Sequence, residues 1–277
     1  MIKISGILTI NNAISLGYPF IEAVLSVLPI ADEFLINDGG SSDKTYFYLE
    51  KLKKTFPKKI KIFNKPHYPG DHWEAIDECL EFLISKTKGS WLFEVQGDEL
   101  WHEKDIFKIK QTIEDADKQD YNSIRTTLHW TNFQEINSYK YRNVRMLRKI
   151  KKLKSYYCGD DFQIGDSRNP AQGFTSHNVP PELITDFVCY NFSGIVFPGN
   201  VLERERSHVN FLARKQEDRK KVLKHLESGP ILEQKPNPEI VKQLPALIQG
   251  VAGWDKYQVR EELFDKKFLK ELTGLKY

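Results

Sequence analysis

Over its first 120 residues the chain alternates short apolar runs with helix-period segments. That alternation restricts it to strands running parallel under covering helices. Ile4 to Ile10 is a β-branched run. Tyr18 to Leu28 then sets Phe20, Ile21, Val24, Leu25, Val27 and Leu28 at helical spacing, and Pro29 ends the segment. Glu33 to Ile36 reads as a second strand, broken at Asn37-Asp38-Gly39-Gly40, a turn signal. Asp43 to Phe56 is amphipathic, with Ser42 or Asp43 as N-cap. Lys59 to Phe63, Trp73 to Lys86 and Trp91 to Val95 continue as strand, helix and strand. Open sheets of this kind bind ligands beyond the carboxyl ends of their strands. The rule selects Asn11-Asn12, Asp38-Gly39-Gly40 and Gln96-Gly97-Asp98-Glu99.

After residue 120 the pattern changes. Asn122 to His129 and Tyr141 to Leu147 read as strands around a polar, aromatic stretch. Residues 155–182 read as loop, and Leu183 to Tyr190 and Ile195 to Phe197 as extended chain. From about residue 200 onward, helices separated by Pro230, Pro236, Pro238 and Pro245 are expected. The chain divides accordingly into 1–120, a ligand-binding half, 121–199, the second half of the same domain, and 200–277, a helical extension.

With 277 residues, 40% of them hydrophobic, the chain has enough apolar material to fold without disulfides or a structural metal. Cys79, Cys158 and Cys189 are isolated and odd in number, which suits a reducing compartment. No run approaches the ~20 apolar residues of a membrane span, and the first ten residues read as a buried strand rather than a signal. A cytoplasmic protein is expected. The net charge of +3 does not by itself imply a polyanionic partner.

Two of the strand-end segments carry chemistry. In Asp38-Gly39-Gly40-Ser41-Ser42-Asp43-Lys44-Thr45 a carboxylate suited to a nucleobase imide or ribose hydroxyl precedes two glycines that let a flat ligand approach. A helix N-terminus, favourable to negative charge, follows. The same residues would equally make a turn and a cap. In Val95-Gln96-Gly97-Asp98-Glu99 two adjacent carboxylates follow a buried strand, a setting for a hard cation that keeps positions open for phosphate oxygens. A solvated acidic turn has the same composition.

Taken together, Thr9-Ile10-Asn11-Asn12, Leu25-Ser26-Val27-Leu28, Asp38 to Thr45 and Gln96-Gly97-Asp98 resemble the corresponding elements of family 2 glycosyltransferases of the GT-A fold. The likeness covers about the first 105 residues and is greatest to the branch whose metal element reads Gln-Ala-Asp-Glu. It implies a Rossmann-like, mostly parallel α/β sheet flanked by helices, here with a C-terminal helical extension. It also implies inverting transfer of a sugar from a nucleotide-diphosphate sugar such as a UDP-sugar, with Mn²⁺ or Mg²⁺. Asp38 would bind the base, with Asn11 and Gly39 lining its pocket. Gln96 stands where many members carry the first Asp of the metal element. Asp98 would hold the metal, with Glu99 partly substituting.

The catalytic base expected of an inverting enzyme is assigned to Cys158-Gly159-Asp160-Asp161-Phe162, with Asp161 preferred to Asp160, because mutual repulsion raises one carboxyl pKa. Asp166 is the reserve. His208 is preferred to His177 for completing a metal shell, and Arg204 and Arg206 for the diphosphate, if that segment is extended. Lys140 to Lys154 holds eight basic residues and no acidic one, with Trp130, Tyr139, Tyr141, Tyr156 and Tyr157 nearby. It fits a solvated strand and turn, an acidic glycan, or DNA phosphates. The acceptor is accordingly a glycan or small molecule, or a hydroxymethylated pyrimidine in DNA flipped out of its stack. The alternative is an inactive GT-A-like scaffold, for which Gln96 speaks and Asp38, Asp98 and Glu99 speak against.

Overall fold

The computed structural model describes residues 2–66, 72–149, 153–156, 161–164, 180–193, 197–200, 203 and 235–277. Strand β1 (Ile4–Ile10) leads through the short helix α1 (Ala13–Leu16) and α2 (Phe20–Val27) to β2 (Glu33–Asp38). There follow α3 (Thr45–Thr55), β3 (Ile60–Phe63), α4 (His72–Lys86), β4 (Trp91–Glu94), β5 (Glu99–Trp101) and α5 (Ile106–Lys118). The second half adds β6 (Ser123–Thr131), β7 (Ile136–Arg148), β8 (Leu153–Tyr156), β9 (Asp161–Ile164) and β10 (Glu182–Asn191).

Among the described residues the main sheet has eight strands in the order β3-β2-β1-β4-β7-β6-β10-β5. The β1–β2, β1–β4, β2–β3 and β6–β10 pairings are parallel, and β4–β7, β6–β7 and β5–β10 are antiparallel. The expected α/β sheet, flanked by helices and more parallel than not, is present.

Alternation along the first strands explains how the sheet is covered. Leu8 and Ile10 of β1 and Phe34 and Ile36 of β2 enter one core with α2, Leu49 and Leu52 of α3, and Ile109 and Ile113 of α5. Their neighbours Ile7 and Leu35 face the other way and pack with Leu80 and Leu83 of α4. Strands buried on both faces read as continuous apolar runs, which is why β1 and β2 were legible.

Three differences from the sequence pattern matter for the site. The acidic turn after β4 runs directly into β5, a three-residue strand with every residue buried, so Glu99 is a strand residue. The stretch expected as loop from residue 155 contains the end of β8 and all of β9, paired as a two-stranded sheet with Tyr156 opposite Asp161. Strands of four residues separated by Gly and Asp carry too little periodicity to be seen. Strand β7 begins at Ile136, within the aromatic stretch read as a connection. Beyond residue 235 short helices at Pro238–Val241, Ala246–Gln249 and Lys266–Thr273 follow. Leu247, Ile248, Val251, Tyr257 and Leu269 from this segment join the same core as α2 and α3.

Candidate functional site

The strand order puts the three selected loops side by side. Chain progression runs outward from β1 to β2 and β3, then returns to β4 on the other side of β1. Such a reversal is where open α/β sheets bind ligands. Asp38 therefore ends the strand on one side of β1, and Gln96 to Asp98 follow the strand on the other.

The first loop is fixed by its own polar side chains. The Gly39 amide donates to Ile10 O at 2.8 Å, and Asn11 Nδ2 donates to Gly39 O at 2.8 Å. Asp38 is 1% exposed, and its carboxylate accepts from the Ser41 amide and the Ser41 hydroxyl. Gly40 has φ 90°, a conformation that glycine adopts without strain. The Asn12 amide donates to Ser41 Oγ at 2.9 Å, while Asn12 Oδ1 accepts the Ser42 amide at 2.8 Å. Asp43 accepts from the amides of Ser15 and Thr45, both at 2.8 Å. It thus cross-links the starts of α1 and α3, although the N-cap position itself is Lys44. Asn37 adds a link outward, donating to Lys65 O at 3.0 Å and accepting the Lys65 amide at 2.9 Å. The outcome is a rigid rim holding a carboxylate with two of its roughly four acceptor positions in use.

The second loop is pressed against the first. A Cβ on Gly97 would lie 2.5 Å from Ile10 Cδ1, so any larger residue would have to displace the end of the Ile10 side chain. The Val95 amide donates to Ile7 O at 3.0 Å, the Glu99 amide to Gln96 O at 3.1 Å, and the Phe192 amide to Asp98 O at 2.7 Å. Gln96 and Asp98 are half-buried on this turn.

Glu99, expected to share the metal with Asp98, is put to another use. It is 1% exposed, and Arg145 donates to Glu99 Oε2 from Nε at 2.7 Å and to Oε1 from Nη2 at 2.9 Å. Arg145 Nε also lies 3.0 Å from Glu94 Oε2. Both Glu99 oxygens are thus engaged by one guanidinium inside the protein, which makes this residue a buried ion-pair partner. Behind it the Cys189 thiol is buried, and burial, then the Glu99 charge, push its pKa well above the ordinary thiol range. Among the described residues no group of three or more His, Cys, Asp and Glu side chains converges as a metal site. The turn's other carboxylate, Asp98, is half-buried, and a Mg²⁺- or Mn²⁺-like ion is a hard cation that takes carboxylate, phosphate and water oxygens.

The basic run is also partly internal. Arg145 is buried, Arg148 donates to Asp120 Oδ1 at 3.1 Å and to Asp117 O at 2.6 Å, and Lys149 donates to Thr87 O at 2.7 Å. Lys140, in contrast, is exposed. Trp130, at the end of β6, donates from Nε1 to Ser193 Oγ at 3.0 Å, and its strand neighbour Asn191 is also register partner of Glu99. Asp160, Asp166, His177, Arg204, Arg206 and His208 lie outside the described residues, and of Asp161 the structure describes the backbone. Arg145 was missed as a site residue because its charge was read together with its basic neighbours. Its signal would have been two glutamates bracketing the turn, which one sequence alone does not connect to a distant arginine.

No family model and no curated protein sequence matches this chain. Among solved structures, a fragment of S. aureus TarS in complex with UDP aligns at 13% identity over 90% of this chain and 83% of that one, with a TM-score of 0.47. Longer S. aureus TarS aligns at 14% identity and TM-score 0.44, over 81% of this chain and 43% of that one. Mannosyltransferase PcManGT from Pyrobaculum calidifontis, in complex with GDP-Man and Mn²⁺, aligns at 10% identity over 82% of this chain and 69% of that one, with a TM-score of 0.47. Identities this low leave the role of each residue to be argued from this chain's own geometry.

Proposed function

We propose that the protein is a glycosyltransferase that moves a sugar from a nucleotide-diphosphate sugar, a UDP-sugar by family resemblance, to an acceptor hydroxyl. The observation that carries the reading is the placement of Asp38 at the end of β2 and of Asp98 in the turn after β4, on either side of β1, with Gly39 and Gly97 close against the end of that strand. A base and a diphosphate need these two kinds of group a short distance apart.

In this reading Asp38 accepts the imide N–H of the base, Asn11 and Gly39 line its pocket, and Gln96 borders the diphosphate. Asp98 is the ligand for Mn²⁺ or Mg²⁺, with His208 as a further candidate and Arg204 at the diphosphate. Such an ion, when bound, neutralises charge developing on the leaving diphosphate. Asp161, or else Asp160, takes the acceptor proton as its oxygen bonds to the anomeric carbon. The bond to the diphosphate oxygen breaks, its electron pair leaves with the nucleotide, and the anomeric configuration inverts. A glycan or small-molecule hydroxyl is favoured as acceptor over a hydroxymethylated pyrimidine in DNA, because Arg145 and Arg148 of the basic run are held by carboxylates. Among the described residues no helix is long and apolar enough to cross a membrane, and the isolated cysteines favour the cytoplasm.

The test is incubation with Mn²⁺ and a panel of UDP-, GDP- and dTDP-sugars, following release of free nucleotide and binding by calorimetry. Metal-dependent release or binding with one donor, lost in a folded Asp98→Ala variant, is the expected result. Absence of nucleotide binding from the whole panel would leave a GT-A-like scaffold without activity.

A further inference from the structure

Arg145 does not follow the register of its strand. Met146 pairs with Ile124 and Val144 with Arg125, so Arg145 is the extra residue of a β-bulge. Bulges re-aim a side chain and recur beside functional sites. Here the re-aimed guanidinium, 1% exposed, meets Glu94 and Glu99 together. Glu94 is the last residue of β4 and Glu99 the first of β5. Between them lie only Val95, Gln96, Gly97 and Asp98. One buried cation therefore fastens both ends of the turn that carries the candidate metal ligand. Asn191 of β10 adds its amide at 3.5 Å from Glu99 Oε1.

Stability alone is a weak reason for such an arrangement. Buried ion pairs are often matched or exceeded by apolar residues of the same volume, because desolvation offsets the attraction. What a fork-shaped cation adds is geometry, since its donors are planar and fixed. From this we infer that Arg145 is a positioning residue: through Glu94 and Glu99 it sets the Gln96–Asp98 turn so that Asp98 meets the metal-bound diphosphate. The functional consequence rests on the glycosyl-transfer reading; the clamp itself does not.

Arg145→Lys keeps the charge and loses the fork, and Glu99→Gln keeps the volume and removes the bidentate partner. Both are compared with wild type by amide hydrogen exchange and by calorimetry with UDP, with and without Mn²⁺. In whichever variants fold, amides of residues 96–99 should exchange about tenfold faster while those of β1 and β2 stay protected. The Mn²⁺-dependent gain in UDP affinity should fall by roughly tenfold to a hundredfold, with metal-free binding unchanged. Wild-type exchange across residues 96–99 in both variants, or an undiminished Mn²⁺-dependent gain, would overturn the inference. If wild-type protein itself binds no nucleotide of the UDP, GDP and dTDP panel, the glycosyl-transfer reading falls, and exchange alone decides the clamp.

Discussion

The Tyr257 hydroxyl donates to Glu22 Oε2 at 2.7 Å, joining residues 235 apart in sequence, both essentially inaccessible. It fastens the C-terminal segment to α2, the helix that shares its core with Leu8 and Ile10 of β1. Arg260 lies nearby, with Nε 4.0 Å from Glu22 Oε1, while its Nη2 donates to Leu247 O. Burial raises the Glu22 pKa, against the lowering influence of Arg260 and of the Tyr257 bond. The folded state therefore binds a proton more readily than the unfolded one, and this group's contribution to stability is lost as pH rises through the folded pKa.

Replacing Glu22 by Gln removes that titration and keeps an acceptor for Tyr257. The Tm difference between wild type and Glu22→Gln should favour wild type most at the acid end and move toward the variant from about pH 4.5 upward. Thermal melts across that range decide it, and a flat difference would contradict the raised pKa. Tyr257→Phe strands a buried carboxylate oxygen and should cost about 1–3 kcal/mol at neutral pH.

The contact between Gly97 and Ile10 makes a second expectation. An added methyl would sit 2.5 Å from Ile10 Cδ1 and 3.7 Å from Phe20 Cβ. Gly97→Ala should lose about 1–3 kcal/mol through overpacking. Ile10→Val removes the offending carbon and should recover most of that loss when combined, although alone it costs roughly 0.5–1.5 kcal/mol. Denaturant melts of the two single variants and the double test this as a cycle. Additive effects would mean that the turn moves away instead of pressing on the strand.

For Asp38 the expectation separates binding from folding. Asp38→Asn keeps an oxygen for the Ser41 amide, and its Nδ2 then faces the Ser41 hydroxyl, which can turn to accept, so the rim should survive with a small Tm change. Its remaining positions no longer offer charge to a base, and losing a charge-assisted hydrogen bond of about 1.5–3 kcal/mol weakens UDP binding roughly ten- to hundredfold. Calorimetry without metal isolates this effect from Asp98. Unaltered affinity would remove Asp38 from the pocket.

What the sequence revealed follows from how burial is written. Strands β1 and β2 are covered on both faces, so Ile7 and Leu8 are apolar alike and the run stands out. The turn residues Asp38, Gly39 and Gly97 were legible because few residue types fit those places. Glu99 was not, because its partner is an arginine 46 residues away whose direction depends on a bulge. Neither periodicity nor composition encodes a bulge. The same blindness made a single surface patch of Arg145, Arg148 and Lys149, which the fold assigns to Glu99, Asp120 and Thr87.

The last expectation concerns the proton acceptor. Asp161 opens β9 opposite Tyr156, and β8 is anchored to α4 where Ser155 Oγ donates to Asp77 Oδ1 at 2.9 Å. A base must be held within a fraction of an ångström of its proton, and a backbone fixed by ladder and anchor suits that need. Once a donor and acceptor are known, Asp161→Asn should lower kcat by about 10²–10⁴ while leaving metal-dependent UDP binding unchanged. The pH–rate profile should lose its acidic limb, since the wild-type base must be ionised to accept the proton. Asp160→Asn should leave both intact. The reverse pattern would give the role to Asp160, and normal turnover in both variants would place the base elsewhere in the chain.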